Sequence, residues 1–323
     1  MGMFTFAPVE REKGKLRMAI EGVASSGKTL GSLLIAYGIT GDWSRIALID
    51  TEHERARFYA NRSDLGIGSF LYCPFYAPYS PERCKAAVQE ASEAVGPDGV
   101  VIFDSFSHAW AGEGGMLDVN QKTADQMRGN TYAAWNSTGK QQDNLVNSIF
   151  SVQSHTIVTM RSKMEYAQDK DDSGKTVIRK IGLAPVQRDN VEYEFDIVLS
   201  IDRNHIARAE KDVTFLDDFA GVITPELGKR LGEWLSEGKE PELCACCHRA
   251  INPFGGRDVA TVIAGTTKTT GRQMCGECFS KWQMIEKQKE KLADDEYATL
   301  QTLIGESSKT DIAQYINEAL AAK

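Results

Sequence analysis

One octapeptide, Gly22-Val23-Ala24-Ser25-Ser26-Gly27-Lys28-Thr29, leaves this chain few folds to choose from. Its spacing, G-x-x-x-x-G-K-[ST], suits a loop whose successive backbone N–H groups curl around an anion. Such a loop works only between a strand and a helix, and the flanking sequence supplies both. Leu16–Glu21 reads as an apolar strand and Lys28–Tyr37 as the helix that follows. In this arrangement the backbone from Gly22 to Gly27 cradles phosphates, Lys28 reaches the β- and γ-phosphates, and the Thr29 hydroxyl ligates Mg²⁺.

Two further strand ends carry acids. Gly99–Asp104 is a continuous apolar run ending in Asp104, placed to hold the metal's water shell. Ile46–Asp50 is another, and just beyond it stands Glu52, which could deprotonate the water attacking a γ-phosphate. On spacing alone Glu52 reads equally well as an ordinary surface acid, one of the 45 acidic residues in the chain. Other strand candidates are Phe70–Cys73, Thr156–Met160 and Ile197–Ile201. Helices are expected over Ser80–Val95, with Ser80 as cap and Pro81 in the first turn, and over Pro225–Ser236, with Thr224 as cap and Gly238 as stop. Alternation of this kind predicts an α/β fold with a mainly parallel sheet covered by helices. The polar stretch Gly238–Leu243 marks the end of that core, giving domains 1–240, 241–279 and 280–323.

These motifs, in this order, resemble those of the RecA-like P-loop ATPases. The resemblance is closer still to phage-encoded single-core members, some of which act as single-strand annealing recombinases. Further residues carry it: Gly129–Trp135, Met160–Lys163, Gly182–Arg188, Glu192–Asp196 and Glu210–Asp212, so that it spans roughly residues 14–237. It implies a RecA-like core, ATP and Mg²⁺ as ligands, Glu52 as the base in ATP hydrolysis, and a homo-oligomer. It also implies a role in DNA recombination or replication with single-stranded DNA as partner, and a single-strand DNA-binding protein as a further one. Two departures stand out. Where RecA senses γ-phosphate with Asn-Gln, this chain has Thr159-Met160-Arg161, leaving Thr159 or Arg161 as sensor. Of the two lysines that RecA extends into a neighbouring site, only the first has a counterpart, Lys211, and Val213 takes the second place.

The chain's net charge of −8 excludes a protein that coats duplex DNA by charge alone, so any DNA contact must be local. The stretch Arg161–Lys180 offers a hairpin, with arms Lys163–Gln168 and Thr176–Lys180 around the turn Asp169–Gly174. Lys163, Lys175, Arg179 and Lys180 are its candidate phosphate contacts. Interspersed acids make a solvated surface hairpin the competing reading. Its position matches the second DNA-binding loop of RecA-like proteins. Without DNA binding, the chain would read as a nucleotide-dependent assembly or loader factor for protein partners. Trp110 and Trp135 read as core, with stacking on bases as the alternative, and His108, His155 and His205 have no evident partners.

Seven cysteines are unevenly placed. Cys73 and Cys84 read as apolar filler. Cys244-Ala-Cys-Cys247 and Cys275-Gly-Glu-Cys278 are two C-x-x-C pairs, suited to one tetrahedral structural Zn²⁺. Cys246 or His248 could replace Cys247, and a redox pair is the rival chemistry. The 27 residues between the pairs exceed the ~15–20 of common zinc ribbons, which predicts a long loop. Helices over Phe279–Leu303 and Thr310–Ala321 complete the tail. No run approaches the ~20 apolar residues of a membrane span. The chain therefore reads as cytoplasmic (in the host, if phage-encoded) with no membrane partner.

Overall fold

The computed structural model describes residues 8, 10–170, 176–305 and 307–321, with only the backbone for 164–170 and 176–183. It divides into two compact units, Gly14–Ser236 and a second that joins the chain start, up to Lys13, to Glu237–Lys323.

The strands of the first unit are β1 (Arg17–Gly22), β2 (Ile46–Asp50), β3 (Leu71–Pro74), β4 (Val100–Asp104), β5 (His155–Lys170), β6 (Thr176–Pro185), β7 (Ile197–Ile201), β8 (Ala207–Lys211) and β9 (Ala220–Gly221). Among the described residues they form one sheet, ordered β3-β2-β4-β5-β1-β7-β8-β9, with β6 paired to β5. The strands from β3 to β7 in that order run parallel, and β8 and β9 return antiparallel. β2 and β4 are buried along their whole length, as strands covered on both faces must be.

The helices of this unit are α1 (Lys28–Thr40), α2 (Pro81–Val95), α3 (Ser107–Ala111), α4 (Met116–Gln126), α5 (Thr131–Ser151) and α6 (Pro225–Leu235). One apolar core holds Met18, Ile20, Leu33, Ile35, Leu48, Ile102, Leu199 and Leu231. The other, on the opposite sheet face, holds Ala19, Ile49, Val88, Val101, Phe103, Leu145, Ile149 and Val198. Alternate residues of β1 thus serve opposite cores, as strand geometry requires. Helices α1 and α6 meet backbone to backbone: a Cβ on Gly38 would lie 2.0 Å from the Pro225 carbonyl, and one on Gly228 2.2 Å from that of Ile35.

Several sequence expectations need correction. The Ser80 hydroxyl does cap α2, accepting the Arg83 N–H at 3.4 Å, but Thr224 makes no capping bond at α6. Pro225 in the first turn still fixes where α6 begins. The strand expected to end at Met160 continues to Lys170, because β5 leaves the parallel sheet and becomes an arm of the β5–β6 hairpin. Helices α3, α4 and α5 fill a region where no helix was expected. Cys84 is buried, yet Cys73 is exposed, because β3 is the outermost strand. Trp110 and Trp135 are half-buried and stack on each other, 5.5 Å between centroids.

His155, at the base of β5, is buried and accepts the Leu16 N–H through Nδ1 at 3.0 Å. That bond requires a neutral ring with its lone pair on Nδ1. Burial, with Lys15 and Arg17 nearby, pushes its pKa down to about 3. Below about pH 6.5 the unfolded chain takes a proton that the folded chain refuses, so this contribution is complete above 6.5 and lost as pH falls toward 3. The expected slope is up to about 1.4 kcal/mol per pH unit. His155→Asn, whose side-chain oxygen can still accept from Leu16, should flatten the acid limb of a pH-dependent unfolding series. An unchanged limb would assign the slope to other groups.

The second unit contains α7 (Val259–Thr270), α8 (Gly276–Glu286), α9 (Asp294–Leu303) and α10 (Lys309–Ala321). The long loop expected between the cysteine pairs contains a helix, because α7 takes up 12 of its residues. The tail helix expected over 279–303 is broken into α8 and α9. At the break Glu296 reaches back to the Ala293 N–H at 2.8 Å, and Asp294 and Asp295 join it in the first turn, where the helix dipole favours acids. One core unites Cys244, Ile251, Val262, Met274, Cys278, Ile285, Leu300, Ile304, Ile312 and Ile316. Backbone bonds tie Lys13 to Lys239 and Lys239 to Arg11, at 3.0 and 3.1 Å. Among the described residues, no helix is long and apolar enough to cross a membrane.

Candidate functional site

The carboxyl ends of the parallel strands β1, β2 and β4 lie at one edge of the sheet beside the middle of β5, and three polar clusters form there. At the end of β1 the loop 22–27 turns into α1. Gly22 and Gly27 have φ of +158° and +99°, and a Cβ on Gly22 would lie 2.5 Å from the Ile201 carbonyl, so glycine is needed there for conformation and for space. Lys28 is buried, and its ammonium donates to the carbonyls of Gly22 and Val23, both at 2.9 Å. Burial draws its pKa down, against the opposing pull of Asp104 and Glu52. The cation is thus held against the loop itself.

At the end of β4, Asp104 is buried and receives the hydroxyls of Thr29, at 2.5 Å, and of Thr159. Burial pushes its carboxyl pKa up, while the two hydroxyl donors resist the rise. Thr29 and Asp104 lie 75 residues apart in sequence and present their oxygens side by side. Two adjacent oxygens, one from a carboxylate, form the kind of hard-donor set that Mg²⁺ prefers.

At the end of β2, Asp50 organises the turn that carries Glu52. Its carboxylate accepts the N–H groups of Glu52 (2.6 Å) and Ala56 (3.0 Å) and the Tyr72 hydroxyl (3.1 Å). Glu52 is then clasped by Arg161 from β5 in a bidentate pair, with Nε to Oε1 at 2.6 Å and Nη2 to Oε2. Burial alone would raise the Glu52 pKa, but the Arg161 bonds and charge outweigh it and hold the carboxyl below its usual range. Beside it the Thr51 hydroxyl hydrogen-bonds His108 Nδ1 at 2.6 Å, and Tyr79 stacks on that ring with 5.1 Å between centroids. Burial and the Arg161 charge lower the His108 pKa, favouring the neutral ring.

The remaining candidates fall elsewhere. Lys211 donates to the Tyr193 carbonyl, and the β7–β8 register sets it opposite Val198, away from the end where Ile201 borders the loop. Lys163 is exposed, paired through its backbone with Ala184. Lys175 lies outside the described residues, and Arg179 and Lys180 sit on β6, where the backbone alone is described. Sequence reasoning missed three participants: Asp50, His108 and His205. Asp50 was legible as the last residue of its strand. The histidines have partners that no local pattern indicates, Thr51 for His108 and the Ser26 carbonyl for His205.

In the second unit the sulfurs of Cys244, Cys247, Cys275 and Cys278 all lie within 4.8 Å of one another, and Cys246 and His248 are not in the group. Tetrahedral zinc with Zn–S bonds of about 2.3 Å requires sulfur separations of about 3.8 Å. The Cys247–Cys275 separation is 3.8 Å. Backbone N–H groups of Cys246 and Cys278 point at the sulfurs of Cys244 and Cys275, at 3.5 and 3.4 Å. Arg249 adds a cation at Cys247. These donors would stabilise thiolates, so the donor set fits a zinc ion.

Comparison with known families matches residues 14–223 to a model described as an AAA domain. No curated protein matches the chain.

Proposed function

The chain belongs to the AAA-domain family, and from that premise we propose that it is a RecA-like, ATP-hydrolysing protein that acts on single-stranded DNA in phage-type recombination or replication. The observation that carries the reading is the convergence of Lys28, Thr29, Asp104 and Glu52 at one edge of the sheet. Family membership makes the chain a nucleotide-binding, ATPase-type P-loop protein. The assignment of roles to residues, the RecA-like ancestry and the DNA are our reading.

In this reading the loop's N–H groups and Lys28 hold the β- and γ-phosphates. Thr29 and Asp104 hold Mg²⁺, which neutralises charge on the phosphate oxygens. Glu52 orients the attacking water and takes its proton. Arg161 makes that base conditional. While its guanidinium clasps Glu52, both carboxylate oxygens are occupied and the carboxylate is a weak base. A γ-phosphate competing for the same guanidinium would release Glu52 and raise its proton affinity where the water sits. Four cysteines, Cys244, Cys247, Cys275 and Cys278, hold a structural zinc in this account, and the protein works as a homo-oligomer, with a single-strand DNA-binding protein as a further partner.

For DNA, the support is the β5–β6 hairpin, which extends directly from the strand that carries Thr159 and Arg161. A DNA contact there would be covalently continuous with the γ-phosphate contact. The experiment is ATP hydrolysis with and without single-stranded DNA, together with DNA binding across a salt series. Stimulation by DNA is expected, and replacing Lys163, Arg179 and Lys180 by Ala should flatten the logarithmic salt slope by about 0.7 for each phosphate no longer neutralised. The net charge of −8 favours one alternative, an assembly factor for protein partners. Absence of DNA binding with any nucleotide would select it.

A further inference from the structure

The turn between β7 and β8 places His205 against the phosphate loop. Its Nδ1 lies 2.8 Å from the Ser26 carbonyl oxygen. A carbonyl only accepts, so Nδ1 carries the proton and the tautomer follows from the contact. The ring is close-packed as well as bonded, because a Cβ on Gly27 would come within 3.1 Å of Nδ1.

The turn is built to hold this ring. His205 has φ of +63°, a left-handed conformation that costs a side chain with a Cβ. Asp202 fixes it from several directions. Its carboxylate accepts the N–H groups of Asn204 at 2.8 Å and Ile206 at 3.0 Å, and its carbonyl accepts the His205 N–H at 3.1 Å. Arg208 braces the same carboxylate at 3.5 Å. Uncommon backbone conformations persist where the surroundings over-determine them, and such places are often functional.

The Ser26 carbonyl explains what the ring is for. Helix α1 begins its own ladder one residue later, with the Gly27 carbonyl accepting from Gly31 at 2.8 Å. The Ser26 oxygen therefore needs a donor from outside the helix, and His205 supplies it. A trans peptide unit is planar, with C=O and N–H pointing in opposite directions. Anchoring the Ser26 oxygen thus fixes the Gly27 N–H on the far side of the plane. Among the described residues that N–H has no acceptor. It is the kind of unpaired donor that a phosphate oxygen takes at a helix start.

We propose that His205 is a positioning residue of the phosphate loop, whose ring N–H anchors the Ser26 carbonyl and so aims the Gly27 N–H at a nucleotide's phosphate oxygens. This rests on the nucleotide-site reading above. The test compares the native protein with His205→Ala, His205→Gln and His205→Asn, using binding of a fluorescent ATP analogue with Mg²⁺ and steady-state hydrolysis. Asn carries its amide nitrogen at the same bond distance from Cβ as Nδ1 and tolerates positive φ, whereas the Gln nitrogen lies one bond farther out. Ala and Gln should weaken nucleotide binding about three- to tenfold and raise KM in step, with kcat held within about twofold, and Asn should recover most of the loss. Thermal unfolding without nucleotide separates loop positioning from loss of fold, and Gln, close to His in volume, stands in if Ala unfolds. A folded Ala or Gln variant that binds within twofold of native overturns the proposal, as does an Asn variant no better than Ala. If the native protein binds no more analogue than Lys28→Ala does, the nucleotide-site reading itself falls, and the proposal with it.

Discussion

Glu52→Gln is expected to bind ATP and fail to hydrolyse it, with a rate lower by about 10²–10⁴. The amide fills the same space, and its oxygen can still accept one bond from Arg161. It cannot take a proton from water. Lys28→Ala should instead lose nucleotide affinity, because the main cation on the phosphates is gone, so the two variants separate binding from chemistry. Arg161→Ala adds a sharper test of the clasp. Arg161 holds the Glu52 pKa down against the effect of burial. Without it that carboxyl should titrate at higher pH, and the acid limb of the hydrolysis profile should move upward. Native-rate hydrolysis by Glu52→Gln would remove Glu52 from the mechanism. An acid limb that stays in place in Arg161→Ala would mean that the clasp does not control the base.

Zinc removal is expected to unfold the second unit and leave the first able to bind nucleotide. Structural zinc sites contribute roughly 10–16 kcal/mol of apparent binding energy, more than the total stability of most small domains. Two of the four ligands, Cys244 and Cys278, are also members of that unit's apolar core. Losing the metal would therefore leave thiols inside the core with no partner holding them together. The first unit has two cores of its own and contributes none of the four ligands. Metal analysis should give one zinc per chain. A chelator should make residues 241–321 protease-sensitive while binding of an ATP analogue persists. Cys278→Ser should do the same, while Cys246→Ser should not, because its sulfur is outside the group. Metal-free protein with an intact, protease-resistant second unit would remove zinc from the account.

The comparison between sequence and structure divides along the range of the interactions. Short-range patterns were legible. A phosphate loop is specified by eight consecutive residues, a buried parallel strand by four consecutive apolar ones and the acid that ends them, and a C-x-x-C pair by four. The strand ends carrying Asp104 and Glu52 could be named because a strand's length and direction are written locally. What went unread was longer or weaker in pattern. Helix α5 carries Gly139 and many polar residues in its 21, so its periodicity is faint, and packing of Leu145, Val146 and Ile149 on the sheet holds it in place. Helix α7 was hidden between cysteine pairs, where spacing suggested only a long loop.

The sequence by itself determined the α/β character, the phosphate loop, the acids at the strand ends and the two C-x-x-C pairs, while the structure left Cys246 and His248 out of the sulfur cluster. Only the tertiary structure decided which side chains meet. Arg161 reaches Glu52 across 109 positions, His205 reaches Ser26 across 179, and Thr29 and Asp104 converge across 75. Each contact depends on strand order, since β1 lies between β5 and β7, and β4 between β2 and β5. Strand order is set by how helices cover the two sheet faces, a global packing problem with no local signature. A motif can therefore announce a phosphate site, while the residues that restrain its base and anchor its loop become visible only once the sheet is assembled.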